Sequence, residues 1–185
     1  MPTRQELVLE AALQVLASGG SRPLTHRAVD TAAGLPHGST SNLFRSRDAL
    51  LGGVLQEMAD RDLARIAELE GEGPSTMTRE QLVVLTAEMV SFALGRGRTL
   101  TLARHAVVAE AAVQGGSVAL DRATRRLWHV VGRLLRGAGS AAPQRDARWL
   151  LACVDGLITE QIRRPQRTFD ARAAVRPLLA ALLDP

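Results

Sequence analysis

The 185-residue chain has no lysine and no tyrosine, one cysteine, and only 3% aromatic residues. Each absence excludes something. Cys153 is alone and cannot form an internal disulfide. Between Leu151 and Val154 it reads as a buried, inert thiol. The four histidines, His26, His37, His105 and His129, lack metal-ligand spacing. The His-Glu-x-x-His helix, the phosphate-cradling glycine loop and the nucleophile elbow are all missing. No metal or cofactor is expected, and an all-helical enzyme is the weakest functional reading. There is no run of about 18 apolar residues to cross a bilayer. The N-terminus has no apolar signal-peptide core. A soluble, cytoplasmic protein without membrane contact is expected.

What is present points to helices. Ala, Leu and Val dominate in place of aromatics. A hydrophobic content of 46% is ordinary for a globular protein, and the length suffices for a core without disulfides or metals. All 23 basic residues are arginine, and the net charge is +4. Residues 22–47 hold Arg22, Arg27, Arg45 and Arg47 against Asp30 alone. Guanidinium forks match phosphates and guanine edges, so this local excess suits a DNA-facing surface as well as a solvated one.

The densest signal lies in residues 24–50. Thr25 is a good N-cap, Ala28, Val29 and Ala32 share one helical face, and Gly34 can adopt the positive φ that ends a helix. Pro36 suits a first helical position. The following turn offers His37, Ser39, Ser41 and Asn42, with Gly38 allowing close backbone approach. Two short helices, at about 25–33 and 36–43, joined by a tight turn, form a helix-turn-helix whose second helix enters the major groove. Asn42 is the best base reader, because its amide can pair bidentately with adenine. His37 and Ser39 are placed on the same exposed face.

Ala33-Gly34-Leu35, Gly38-Ser39-Thr40-Ser41, Leu43-Phe44 and Ser46-Arg47-Asp48 before Leu50-Leu51 resemble the TetR (tetracycline-repressor-like) family of bacterial transcriptional regulators. The register holds over residues 3–58 and continues beyond them as a helical plan. Two positions depart from it: Ser41 stands where the family has tyrosine, and Leu43 where it has histidine. The resemblance implies that Arg27 reads guanine and that Thr25, Ser41, Arg45, Ser46 and Arg47 contact phosphates. Arg47 takes the place of the family lysine. It also implies that Thr40 packs inward, and that the chain binds double-stranded DNA at near-palindromic sites as a homodimer.

The rest of the chain reads as helices at about 3–18, from Ser46 through Ile66, and at 78–95, 99–113, 117–136, 144–163 and 171–183. The first helix carries the stripe Leu7, Val8, Ala11, Ala12, Val15, Leu16. Gly52-Gly53 in the long helix marks either close packing or a bendable joint. Gly71 to Ser75 is the clearest linker, and Gly115-Gly116 a helix stop. Pro177 requires the last helix to start late or kink. The expectation is an all-α chain of about nine helices. A three-helix DNA-binding domain (1–46) precedes a helical effector-binding and dimerisation domain (47–185). In the second domain, the family resemblance assigns Leu150, Val154, Leu157, Ile158, Leu178 and Leu182 to a dimer interface, with Asp155 and Gln161 at its rim. Met89, Phe92, His105, Trp128 and Trp149 are either plain core or the lining of a pocket for a small hydrophobic effector. The reading is a dimeric repressor released by such an effector. A helical adaptor that has lost DNA binding is the alternative, favoured by the Ser41 and Leu43 departures.

Overall fold

In the computed structural model, residues 1–71, 77–114 and 116–183 are described. Among them are nine α-helices and no strand: α1 (Arg4–Gly19), α2 (His26–Ala33), α3 (Ser39–Leu43), α4 (Arg47–Glu70), α5 (Arg79–Leu94), α6 (Arg98–Val113), α7 (Val118–Gly137), α8 (Pro143–Arg163) and α9 (Ala171–Leu183). The all-α expectation holds. The expected linker lies, except for Gly71, outside the described residues, as does Gly115 of the Gly115-Gly116 stop.

Local chemistry sets the boundaries. The Thr3 hydroxyl accepts the Glu6 amide at 3.2 Å while the Glu6 carboxylate accepts the Thr3 amide at 2.6 Å. This reciprocal cap satisfies two donors that a helix start otherwise leaves unpaired. Thr78 and Gln81 repeat it at α5. Ser46 caps α4 through the Ala49 amide at 3.1 Å. Asp170 accepts the Arg172 and Ala173 amides at 2.9 and 3.2 Å, which starts α9 at Ala171, and the helix then runs through Pro177. The second motif helix starts at Ser39, not Pro36, because the Pro36 carbonyl accepts the Ser39 amide and closes a turn first.

The chain forms two compact units. The first contains Met1–Arg61 and Gly97–Thr124. Here α1 packs on α6 and α2, and α2 packs on α3. Val8, Ala12, Leu16, Leu24, Val29, Leu50 and Val54 are almost fully buried. Burying a side chain of this size contributes about 1.5–3 kcal/mol. The α1 stripe is shifted from expectation: Leu9 and Leu13 are buried, while Leu7 is exposed. Packing on both α6 and α2 demands a broader apolar face than one narrow stripe. Arg61 spans from α4 to α1, reaching Glu10 at 3.0 Å and Glu57 at 2.8 Å.

The second unit contains Asp62–Arg96 and Arg125–Pro185. Helices α5, α8 and α9 pack on one another around Leu82, Val90, Leu150, Val175 and Leu179. Arg133 on α7 grips both oxygens of Glu70, at 2.5 and 2.8 Å. That guanidinium holds the Glu70 carboxyl below the usual carboxylate range, against the opposing push of burial.

The glycine pair in α4 divides its roles. A Cβ on Gly53 would stand 2.5 Å from Phe44 Cε1, so the Phe44 ring requires glycine there. A Cβ on Gly52 would meet nothing within 4 Å. Gly53→Ala is therefore expected to lower unfolding free energy by about 1–3 kcal/mol through overpacking. Gly52→Ala should raise it by about 0.4–1 kcal/mol by restricting the unfolded chain. Urea titrations of the two variants test this; equal effects would contradict the asymmetry.

Candidate nucleic-acid interface

The helix-turn-helix is built around one carboxylate. The Thr25 hydroxyl accepts the Ala28 amide at 3.2 Å and opens α2. Gly34, at φ 65°, ends it in the left-handed conformation that a side chain disfavours. The chain returns through Pro36 and His37 to Gly38, which at φ 95° occupies the N-cap of α3 and has no side chain to cap with. Asp30, one turn before the end of α2, supplies the cap instead. Its Oδ2 accepts the Gly38 amide at 2.8 Å. Its Oδ1 accepts the Thr40 amide at 2.8 Å and the Thr40 hydroxyl at 2.6 Å.

Asp30 is 1% and Thr40 0% exposed, so this is a buried charge with three donors aimed at it. Burial pushes the Asp30 carboxyl upward. The Thr40 hydroxyl, the Thr40 and Gly38 amides and nearby His37 together outweigh that push and leave it below its ordinary value. A negative charge at a helix N-terminus also meets the positive end of the helix dipole. A five-residue helix such as α3 is too short to hold itself in water. Asp30 ties it to α2 and sets the angle of the turn.

From this frame Arg27, His37 and Asn42 project into solvent, and Thr25, Arg45 and Ser46 are exposed beside them. Neither Arg27 nor Arg45 has an ion-pair partner among the described residues. Gly38 and Ser41 are half-buried, with the Ser41 hydroxyl donating to the Gly38 carbonyl at 3.0 Å. Ser39 differs from expectation. It is 6% exposed and its hydroxyl donates to the Pro36 carbonyl at 2.7 Å, so it closes the turn instead of facing outward.

Arg47 is also committed inward. Its Nη2 donates to the Ser21 carbonyl at 2.8 Å and to Glu110 at 3.0 Å, and its Nη1 lies 2.8 Å from the other Glu110 oxygen. One guanidinium thus joins the loop after α1, the start of α4 and the end of α6. It holds the Glu110 carboxyl below the usual range in spite of burial.

The other predicted positions are scattered. His105 lies in the first unit, half-buried on α6; Met89, Phe92, Trp128 and Trp149 belong to the second. Phe92 lies under Arg65 at 5.4 Å and Trp128 under Arg148 at 4.7 Å, both half-buried. Trp149 is 55% exposed beneath Arg145, so it lines no interior. Of the predicted interface residues, Leu150 and Ile158 are buried in their own unit's core. Val154, Leu157, Leu178 and Leu182 are half-buried. The outward face of α8 carries Trp149, Ala152, Cys153, Asp155 and Gly156. Cys153 is exposed and not buried: the inward face of α8 runs through Ala147, Leu150, Val154 and Ile158, and residue 153 falls at its solvent-facing flank. Gln161 is buried, not at a rim, and accepts the Gln166 amide at 3.1 Å.

Among the described residues no three His, Cys, Asp or Glu side chains converge as a metal site would require. No described helix is long and apolar enough to cross a membrane.

Residues 77–185 match the family described as Tetracyclin repressor-like, C-terminal domain. No curated protein matches the sequence. A transcriptional regulator from Rhodococcus sp. Rha1 has the same fold, with TM-score 0.80 and 24% identity over 98% of this chain and 97% of that one. A TetR family member from Streptomyces coelicolor A3 gives 0.77 at 23% identity, covering 98% and 99%. The multidrug binding protein EbrR, complexed with ethidium, gives 0.70 at 24% identity, also covering 98% and 99%.

Asp30→Asn keeps the shape but turns an amide donor toward backbone amides. It is expected to lower stability by about 2–3 kcal/mol. The pH dependence carries a sign. The folded-state carboxyl titrates below its ordinary value, so its stabilisation is full above the ordinary carboxylate range and is lost as pH falls through the folded-state value. Wild type should therefore lose its advantage over Asp30→Asn below about pH 4. Parallel thermal melts from pH 7 to 3 test this; a constant gap across that range would remove the charge from the account.

Proposed function

Because the chain belongs to the tetracyclin repressor-like (TetR) family of DNA-binding transcriptional regulators, we propose that it is a homodimeric repressor released from a near-palindromic operator by a small hydrophobic effector. The observation that carries this reading is the α2–α3 corner. Asp30 orients it, and Arg27, His37 and Asn42 project from it into solvent.

In the major groove Asn42 pairs with adenine, Arg27 with the O6 and N7 of guanine, and His37 with a neighbouring base edge. Gly38 lets the backbone approach. Thr25, Ser41, Arg45 and Ser46 contact phosphates, which fix register without reading sequence. Arg47 contributes its backbone amide at the N-terminus of α4, its side chain being held by Glu110. Residues 1–46 are thus the reading head, and 47–185 the part that dimerises and responds.

Two heads on one palindrome need a two-fold interface. The small outward residues of α8, Ala152, Cys153 and Gly156, flanked by half-buried Val154 and Leu157, and by Leu178 and Leu182 of α9, support a close helix-to-helix approach between copies. EbrR is a multidrug binding protein whose complexes with ethidium and with imidazole are known. Met89, Phe92 and Trp128, half-buried and apolar, support an uncharged hydrophobic effector here. It acts only through different affinities for the DNA-bound and released states.

The test is selection of bound fragments from the source genome, followed by binding curves at two salt concentrations. Wild type should recover a near-palindrome, with log K falling linearly in log salt. Asn42→Ala should lose about 1–3 kcal/mol, and with it discrimination at one base pair of each half-site. Weak, salt-sensitive binding without enrichment, shared by the variant, would overturn the repressor reading in favour of the adaptor.

A further inference from the structure

The first unit contains a cavity that the DNA-reading surface does not use. It lies between the first two turns of α4, the end of α6 and the start of α7, with a volume of about 330 Å³. That is the size of a small-ligand pocket. Its polar side is formed by Asp48, Glu110 and Gln114, and its apolar side by Leu51, Val107 and Val118. No basic side chain lines it.

Three features select the chemistry of an occupant. Asp48, exposed in the first turn of α4, makes no side-chain hydrogen bond or ion pair among the described residues, so its carboxylate is open to a cation that enters the cavity. Glu110 stands behind it, its side chain only 13% exposed, held by Arg47 from outside the lining and by the exposed Gln114 amide at 3.0 Å. Val118, on the apolar side, is 74% exposed, leaving hydrocarbon open at the cavity wall.

We propose that this cavity is a binding site for a small organic cation, an amidinium or ammonium carrying an apolar group. Its charge pairs with Asp48 and displaces the Gln114 amide to reach Glu110, and its apolar body covers Leu51 and Val118. The occupant and Arg47 then share one carboxylate, so the site communicates with the guanidinium that joins the α1–α2 loop, α4 and α6. This site is separate from the hydrophobic effector region proposed above. Its consequence for DNA binding rests on the repressor reading, but occupancy of the cavity does not.

The probe is benzamidine, titrated into the full chain without DNA and followed by amide shifts in two-dimensional NMR. Benzamide serves as the neutral isostere. Benzamidine should bind in the millimolar range, with shifts concentrated at 48–52 and 107–119. Benzamide, or benzamidine on Asp48→Asn, should bind about five-fold more weakly. Arg47→Gln, which leaves Glu110 unpaired, should tighten benzamidine binding. Should Arg47→Gln fail to fold, Asp48→Asn decides alone. Equal binding of the two probes, indifference to Asp48→Asn, or shifts centred elsewhere would overturn the proposal. Because no DNA is present, these results stand apart from whether the chain reads an operator.

Discussion

The Asp30 carboxylate is the constraint on which the α2–α3 corner depends. The α3 helix has five residues and a glycine cap, so nothing inside it fixes its position. Three donors from its first turn converge on Asp30, and Asp30 is carried by α2. A buried carboxylate without those donors would be strongly unfavourable, and the donors without the carboxylate would be orphaned. The two halves of the motif are therefore stable only together. The direction in which His37 and Asn42 point follows from that mutual requirement more than from any apolar contact of their own.

The frame behind the motif is apolar, with charged ties at its edges. Leu24 and Val29, both fully buried, seat the motif on the core that α1, α4 and α6 share. Phe44, just past α3, lies against Gly53 of α4, which fixes where the chain leaves α3. Arg47 then binds the loop before α2 to the end of α6. Phe44 thus links the end of α3 to α4, and Arg47 links α4 to α6. A change at the end of α6 has a short physical route to the residues that face outward.

The elements legible in sequence were those whose signals are local. Thr25 and Gly34 punctuate α2 by short-range signals, and the structure finds each acting so. What escaped notice depends on a partner distant in sequence. Asp30 counted as one negative charge among arginines; its role appears only when Gly38, eight residues on, is seen to lack a cap of its own. Arg47 read as a phosphate ligand because Glu110 is 63 residues away. Ser39 looked exposed because a helix starting at Pro36 would turn it outward, whereas the turn closed by Pro36 shifts the helix start and buries it. Cys153 and Trp149 were assigned by their apolar neighbours, but the face that α8 buries runs through Ala147, Leu150, Val154 and Ile158, and both residues lie at its solvent-facing flank. Periodicity establishes that a helix has an apolar face; packing decides which of two overlapping faces is used.

Arginine chemistry gives the net charge its meaning. With no lysine, every basic side chain other than the four histidines is a planar fork that stays charged at any accessible pH. Such a group either finds a carboxylate or remains available to another anion. Arg47, Arg61, Arg133 and Arg176 have found carboxylates, in each case bridging helices or their flanking loops. Arg27 and Arg45 have not: Asp30, the nearest acid to Arg27 in sequence, is buried and satisfied by hydrogen bonds, and Asp48, the nearest to Arg45, makes no ion pair with it. A buried carboxylate with three donors offers surface arginines no competing partner. The carboxylate that shapes the motif thus leaves its exposed arginines unneutralised, and a modest net charge of +4 becomes a local positive face where the phosphate backbone would meet it.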